Sequence, residues 1–72
     1  MTAKEKYIGK YVHAGGELNG AKGVVVDVKE NDDEIFGHEV WLVIDSGDGM
    51  KYQYEKCEVK EILPGFILKD LD

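Results

Sequence analysis

Arginine is missing from this 72-residue chain, and cysteine, serine, proline and tryptophan occur once each. Each absence excludes something. Arginine is the preferred side chain for bidentate contacts to phosphate and to base edges. A chain without it, and with a net charge of −6, is poorly equipped to neutralise phosphates, so direct DNA binding is not expected. A lone cysteine rules out a disulfide framework. Cys57 reads as a small buried hydrophobe, which fits a reducing, cytoplasmic setting. The start, "MTAKEKYIGK", has no apolar stretch of the signal-peptide kind, and no apolar run is long enough to span a membrane. Ser46 is the only serine and sits in a Gly-rich turn, so no serine nucleophile with its base is suggested.

The residue types that carry metal or cofactor chemistry are present but badly spaced. His13, His38 and Cys57 have no ligand-type spacing. "DSGDG" (45–49) lacks the alternating acids and distal glutamate of a calcium loop, and glycines 15, 16, 20 and 23 match neither phosphate-binding fingerprint. The expectation is a protein that binds without catalysing, with no metal and no cofactor.

What the chain does have is strand alternation and localised acid. Residues 10–15, 21–30, 38–45, 50–56 and 57–62 read as strands. In the second, Val24, Val26 and Val28 alternate with Val25, Asp27 and Lys29. In the third, Val40, Leu42 and Ile44 form one face, with Glu39, Trp41, Val43 and Asp45 on the other. Asn19-Gly20, "DSGDGM" (45–50) and Pro64-Gly65 are turn signals. Helical character is confined to about one turn near residues 3–8. The pattern predicts one domain over 1–72, with a core at about 8–62 and an apolar tail at 63–72 that adds an edge strand or packs against a partner. Five short antiparallel strands must close on themselves or leave long edges, so a small five-stranded all-β barrel is the economical expectation.

The stretch "YIGKYVHAGGELNGAKGVVVDV" carries a resemblance. Gly9, Lys10 and Val12, then Asn19, Gly20, Gly23 and Val25, resemble the opening of SH3-like barrels of the KOW type. That resemblance implies a loop and following strand that contact RNA or the transcription and translation machinery. Nucleic-acid-binding members are basic around this loop, whereas here it offers Lys22 and Glu17 and leads into "DVKENDDE".

The charge is unevenly placed. Residues 1–22 sum to +2, residues 23–48 to −7 and residues 49–72 to −1. Asp27, Glu30, Asp32, Asp33, Glu34, Glu39, Asp45 and Asp48 supply all the acid of the central segment. The segment 27–34 reads either as a solvated hairpin loop or, with the other acids, as a carboxylate row along one side of the barrel that imitates duplex phosphates. In size, charge and lack of catalytic motifs the chain is similar in type to phage-encoded DNA-mimic inhibitors of DNA-binding proteins such as the nucleoid protein HU. The leading expectation is therefore an acidic inhibitor that occupies the basic surface of a nucleic-acid-binding protein, steered to it by charge. Trp41 and the 66–68 tail would add apolar contact, to that partner or to a second copy in a homodimer. The alternatives are a KOW-like module working through Lys4, Lys6, Lys10 and Lys22, and a structural subunit assembled by its tail.

Overall fold

A computed structural model describes residues 2–15 and 20–71. The expected Asn19-Gly20 turn and the loop acid Glu17 involve positions outside the described residues. A five-residue helix α1 (Ala3–Tyr7) precedes six strands: β1 (Tyr11–Ala14), β2 (Ala21–Asp33), β3 (Gly37–Asp45), β4 (Lys51–Glu55), β5 (Val59–Leu63) and β6 (Ile67–Asp70). They form one antiparallel sheet in the order β4-β3-β2-β1-β5-β6. The all-β expectation holds. The apolar tail supplies a sixth strand, and among the described residues the edge strands β4 and β6 do not pair, so the sheet is open and not the closed five-stranded barrel.

A helix as short as α1 is marginal on propensity alone. It is held at its start by a capping box, with the Glu5 amide donating to Thr2 Oγ1 and the Thr2 amide donating to the Glu5 carboxylate. At its end Tyr7 is buried, with the Lys6 and Lys56 ammonium groups 5.4 and 5.6 Å from its ring centroid. The core lies on one face of the sheet. Val12 and Ala14, Val25 and Val28, Leu42 and Ile44, and Val59 are buried there, and Tyr7 and Leu71 join them from the two ends of the chain.

β2 does not keep a simple alternation. Val24 pairs with Asp45 and Val25 with Ile44, but the next pair is Asp27 with Val43, so Val26 is an extra residue in a β-bulge. The bulge changes which valines face the core. Val25 and Val28 are buried, while Val24 and Val26 are exposed. Simple alternation instead groups Val24, Val26 and Val28. Unbulged, β2 would turn Asp27 inward with Val25 and turn Val28 outward. Burying an unpaired carboxylate costs several kcal/mol, whereas burying a valine gains roughly 1.5–3 kcal/mol. Asp27 also serves the bulge directly, because its Oδ1 accepts the Val28 amide at 2.8 Å.

The other special positions are local. A Cβ on buried Gly23 would run into the carbonyl oxygen of Asp45 where β2 crosses the end of β3. Pro64 and Gly65 fill the centre of a turn closed by the Phe66 amide on the Leu63 carbonyl at 3.0 Å. Cys57, expected inside, is exposed, because it falls in a one-turn 3-10 helix (Lys56–Glu58) between β4 and β5. That turn takes residues 57 and 58 out of the fifth strand.

Asp27→Ala is expected to lower stability by about 1 kcal/mol, the net value of a typical intramolecular hydrogen bond. Asp27→Asn, which keeps an acceptor oxygen, should retain most of it. Urea unfolding midpoints for the two variants check this, and an unshifted midpoint for Asp27→Ala would remove Asp27 from the bulge's support.

Candidate functional site

Most of the acidic stretch is strand, not loop. β2 runs through Asp33, and its far half pairs with β3 as Glu30 with Val40, Asn31 with Glu39, Asp32 with His38 and Asp33 with Gly37. The connecting loop is only Glu34, Ile35 and Phe36. Asp33 builds it: its Oδ1 accepts the Ile35 amide at 2.7 Å and the Phe36 amide at 3.1 Å, and Gly37 takes a positive φ of 81° that returns the chain into β3.

The last buried pair of this hairpin is Val28 with Leu42. Residues 29–41 contain no buried side chain. They form an arm, but Val40, paired with Glu30, still packs against the core. The arm projects free of it from that pair onward, by about 10 Å at roughly 3.3 Å per residue from Glu30 to Asp33. The molecule measures 38 × 25 × 21 Å. At the tip, Ile35 is 84% and Phe36 77% exposed.

The eight acids singled out from the sequence do not form one row. Five belong to the arm: Glu30, Asp32, Asp33, Glu34 and Glu39. Alternation past the bulge puts Glu30 and Asp32 on the side that continues the core face, and Asp33 and Glu39 on the outer side. The other three lie on the body in local structural roles. Asp27 holds the bulge and lies 3.6 Å from the Lys4 ammonium. Asp45 Oδ1 accepts the Gly47 amide at 2.9 Å. Asp48 Oδ1 accepts the Ser46 hydroxyl at 2.5 Å and the Met50 amide at 2.9 Å, and these bonds, the Ser46 one foremost, hold its carboxyl below the usual range. Asp27 and Glu39 are set apart, since Asp27 pairs with Val43 and Glu39 with Asn31. Trp41 is on the outer face at the base of the arm, half-buried between Lys29 and Glu55, and its indole N–H donates to the Glu39 carboxylate at 3.3 Å.

The arm also holds a residue that the sequence alone marks only as lacking ligand-type spacing. His38 has Nδ1 2.6 Å from Asp32 Oδ1 and Nε2 3.2 Å from Glu30 Oε1. With a carboxylate at each ring nitrogen, the imidazolium can donate twice. The Asp32 hydrogen bond first, and the Glu30 bond second, raise its pKa above the ordinary histidine value. A signal for this pairing exists in the sequence: Asp33 and Gly37 are spaced as the ends of a three-residue hairpin loop, which sets Asp32 opposite His38. The same spacing places Ile35 and Phe36 at the tip. Among the described residues, no group of three His, Cys, Asp or Glu side chains is arranged to hold a metal ion, and no helix is long and apolar enough to cross a membrane.

Comparison with protein-family models, with curated proteins and with solved structures finds no match.

A raised histidine pKa has a fixed sign of linkage. The arm's extra order from His38 is fully present below the unfolded-state value of about 6.5 and is lost as pH rises through the higher folded-state value. An NMR titration of the two histidine rings is expected to show His38 titrating above about 6.5, and Asp32→Asn to bring it down by more than Glu30→Gln does. A His38 titration that neither substitution moves would contradict the two-carboxylate arrangement.

Proposed function

We propose that this chain is a non-enzymatic acidic binding protein that uses the β2–β3 arm to occupy the basic surface of a nucleic-acid-binding protein, in the manner of a DNA mimic. The observation that carries the reading is the arm itself: five carboxylates on both sides of a projecting hairpin, capped by two exposed apolar side chains. Like charges held this close repel, and the hairpin keeps them beyond the last buried pair, where they add nothing to the core. Such a field attracts a cationic surface from a distance and makes encounter fast and salt-sensitive. Ile35 and Phe36 supply the short-range apolar contact that charge alone does not give. The partner that fits is a protein whose DNA-binding cleft has lysine and arginine walls and an apolar floor.

Three of the eight acids, Asp27, Asp45 and Asp48, contribute to the overall field only, since they lie on the body and not on the arm. The contact residues in this reading are Glu30, Asp32, Asp33, Glu34 and Glu39, with Trp41 bracing the arm's base. What remains of the SH3-like reading in the proposal is the strand order of β1–β5, with β1 between β2 and β5, in a sheet that does not close. The KOW-like alternative has less to work with. Of its lysines, Lys10 is bound to Glu61 at 3.0 Å, Lys4 lies beside Asp27, and Lys6 lies over Tyr7.

Combined Asp32→Asn, Asp33→Asn and Glu34→Gln is the decisive variant, because an asparagine in place of Asp33 keeps an acceptor for the tip amides. With nuclease-treated bacterial lysate, the wild-type chain is expected to retain a basic DNA-binding protein that a DNA duplex displaces and moderate salt elutes. The triple variant should lose at least about tenfold in retention, the loss expected when several charge contacts go together. Retention unchanged by the variant, or recovery from untreated lysate of RNA and ribosomal proteins that nuclease treatment abolishes, would overturn the reading in favour of the lysine-bearing end.

A further inference from the structure

The side of the arm that continues the core face carries three ionisable groups on its strands: Glu30, Asp32 and His38. His38 lies opposite Asp32 in the register, with Nδ1 2.6 Å from Asp32 Oδ1 and Nε2 3.2 Å from Glu30 Oε1. No third strand flanks it among the described residues, since β1 pairs with β2 no further than Val24 and β4 pairs with β3 only over Trp41–Asp45. The other charged groups on the elements around it are Glu34 in the loop, Lys29 and Glu39 on the outer side of the arm, and Lys56 and Glu58 on the 3-10 helix that touches β3. Asp32 and Glu30 are the groups that act on the imidazole, and both favour its protonated form. Residues 29–41 hold five acids and one lysine, so the arm carries −4 with the ring neutral and −3 with it protonated. On the side shared by Glu30, Asp32 and His38, the same proton halves the charge, from −2 to −1.

We propose that His38 is a proton-operated gate on the arm: protonated, it occupies Asp32 and Glu30 together, and deprotonated, it yields Glu30 to a lysine or arginine of the basic partner. The inference rests on the arm being the contact surface argued above. An imidazolium donates from both ring nitrogens, a neutral ring from one. The shorter contact, to Asp32, keeps the remaining N–H. Nε2 then presents a lone pair to a Glu30 oxygen 3.2 Å away, two acceptors facing each other, and Glu30 turns to solvent. The hairpin persists without the bridge, because the β2–β3 ladder and the Asp33 turn involve no atom of the ring. A partner cation at Glu30 disfavours a second positive charge on His38, so docking expels the ring proton. The free arm therefore binds more protons than the occupied one, and affinity rises with pH between the occupied and the free midpoints, the free one lying above about 6.5. The gain is about tenfold for each pH unit by which the cation lowers the His38 midpoint.

Oligolysine is the probe, because lysine ammonium groups, with an ordinary value of about 10.4, keep their charge from about pH 6 to about pH 8.5. Isothermal titration calorimetry at low salt, in buffers of different ionisation enthalpy, reads affinity and proton release together. The wild type is expected to bind about three- to tenfold more tightly at the upper pH and to release protons on binding between the two. His38→Gln, with no proton to lose, should bind at both pH values as the wild type does at the upper one. His38→Lys, which keeps its charge, should bind at both as the wild type does at the lower one. His13→Gln should leave the wild-type dependence intact. His38 is exposed, and circular dichroism checks that its variants remain folded. A wild-type affinity that is flat or falls with pH, or a His38→Gln variant that keeps the wild-type dependence, would overturn the gate. The combined Asp32→Asn, Asp33→Asn and Glu34→Gln variant separates the two failures. If it binds oligolysine more weakly than a pH-independent wild type, the gate alone fails and the arm remains the contact surface. If it binds as well as the wild type at both pH values, the arm is not that surface, and the gate falls with it.

Discussion

The bulge at Val26 is the constraint on which the rest of the molecule depends. It resolves a conflict in the run Val24–Val28, where a strict alternation cannot bury both Val25 and Val28 without turning Asp27 into the core. By admitting one extra residue, β2 buries both valines and leaves Asp27 outside, where its carboxylate accepts the Val28 amide. Every residue beyond the bulge takes its side of the sheet from that choice. Glu30 and Asp32 share a side with His38 because Val28 faces Leu42, and the His38 clamp exists only in this register.

The same choice separates body from arm. Full burial ends with Val28 and Leu42 and core packing with Val40, opposite Glu30, while pairing between β2 and β3 continues to Asp33. Beyond the Glu30–Val40 pair the hairpin has no core contact and relies on cross-strand pairs for its order. Here those pairs are charged or polar near the tip, and the Asp33 turn and the His38 bridge hold what hydrophobic packing does not. A small domain thus carries a projecting acidic element whose charges cost the core little, since they lie outside it.

Much of the strand layout is legible in the sequence because alternation in β1, β3 and β4 is clean, and because Gly and Pro mark the turns. The two faces of β3 separate as the alternation has them, with Leu42 and Ile44 inside and Trp41 on the other face. Three things are hidden for physical reasons. The valine run fits two registers equally well, and only pairing with β3 selects the bulged one. Asp and Asn are poor strand formers, so residues 31–33 look like loop until their partners on β3 are known. Sheet closure depends on curvature and edge pairing, which a strand count does not contain. The acids therefore form neither a loop nor the single row: in the bulged strand they divide between two sides, with Asp27, Asp45 and Asp48 drawn into local bonds.

A basic partner that meets the arm, and not the lysine-bearing end, leaves its footprint between Lys29 and Trp41. An ¹⁵N-resolved NMR titration of the chain with a basic nucleoid-type DNA-binding protein reads that footprint residue by residue. Shift changes are expected to concentrate in the arm, strongest at the tip and reversed by adding a DNA duplex. Changes centred instead on α1 and β1, around Lys4 to Lys10, or a spectrum unmoved at low salt, would contradict a binding role for the arm.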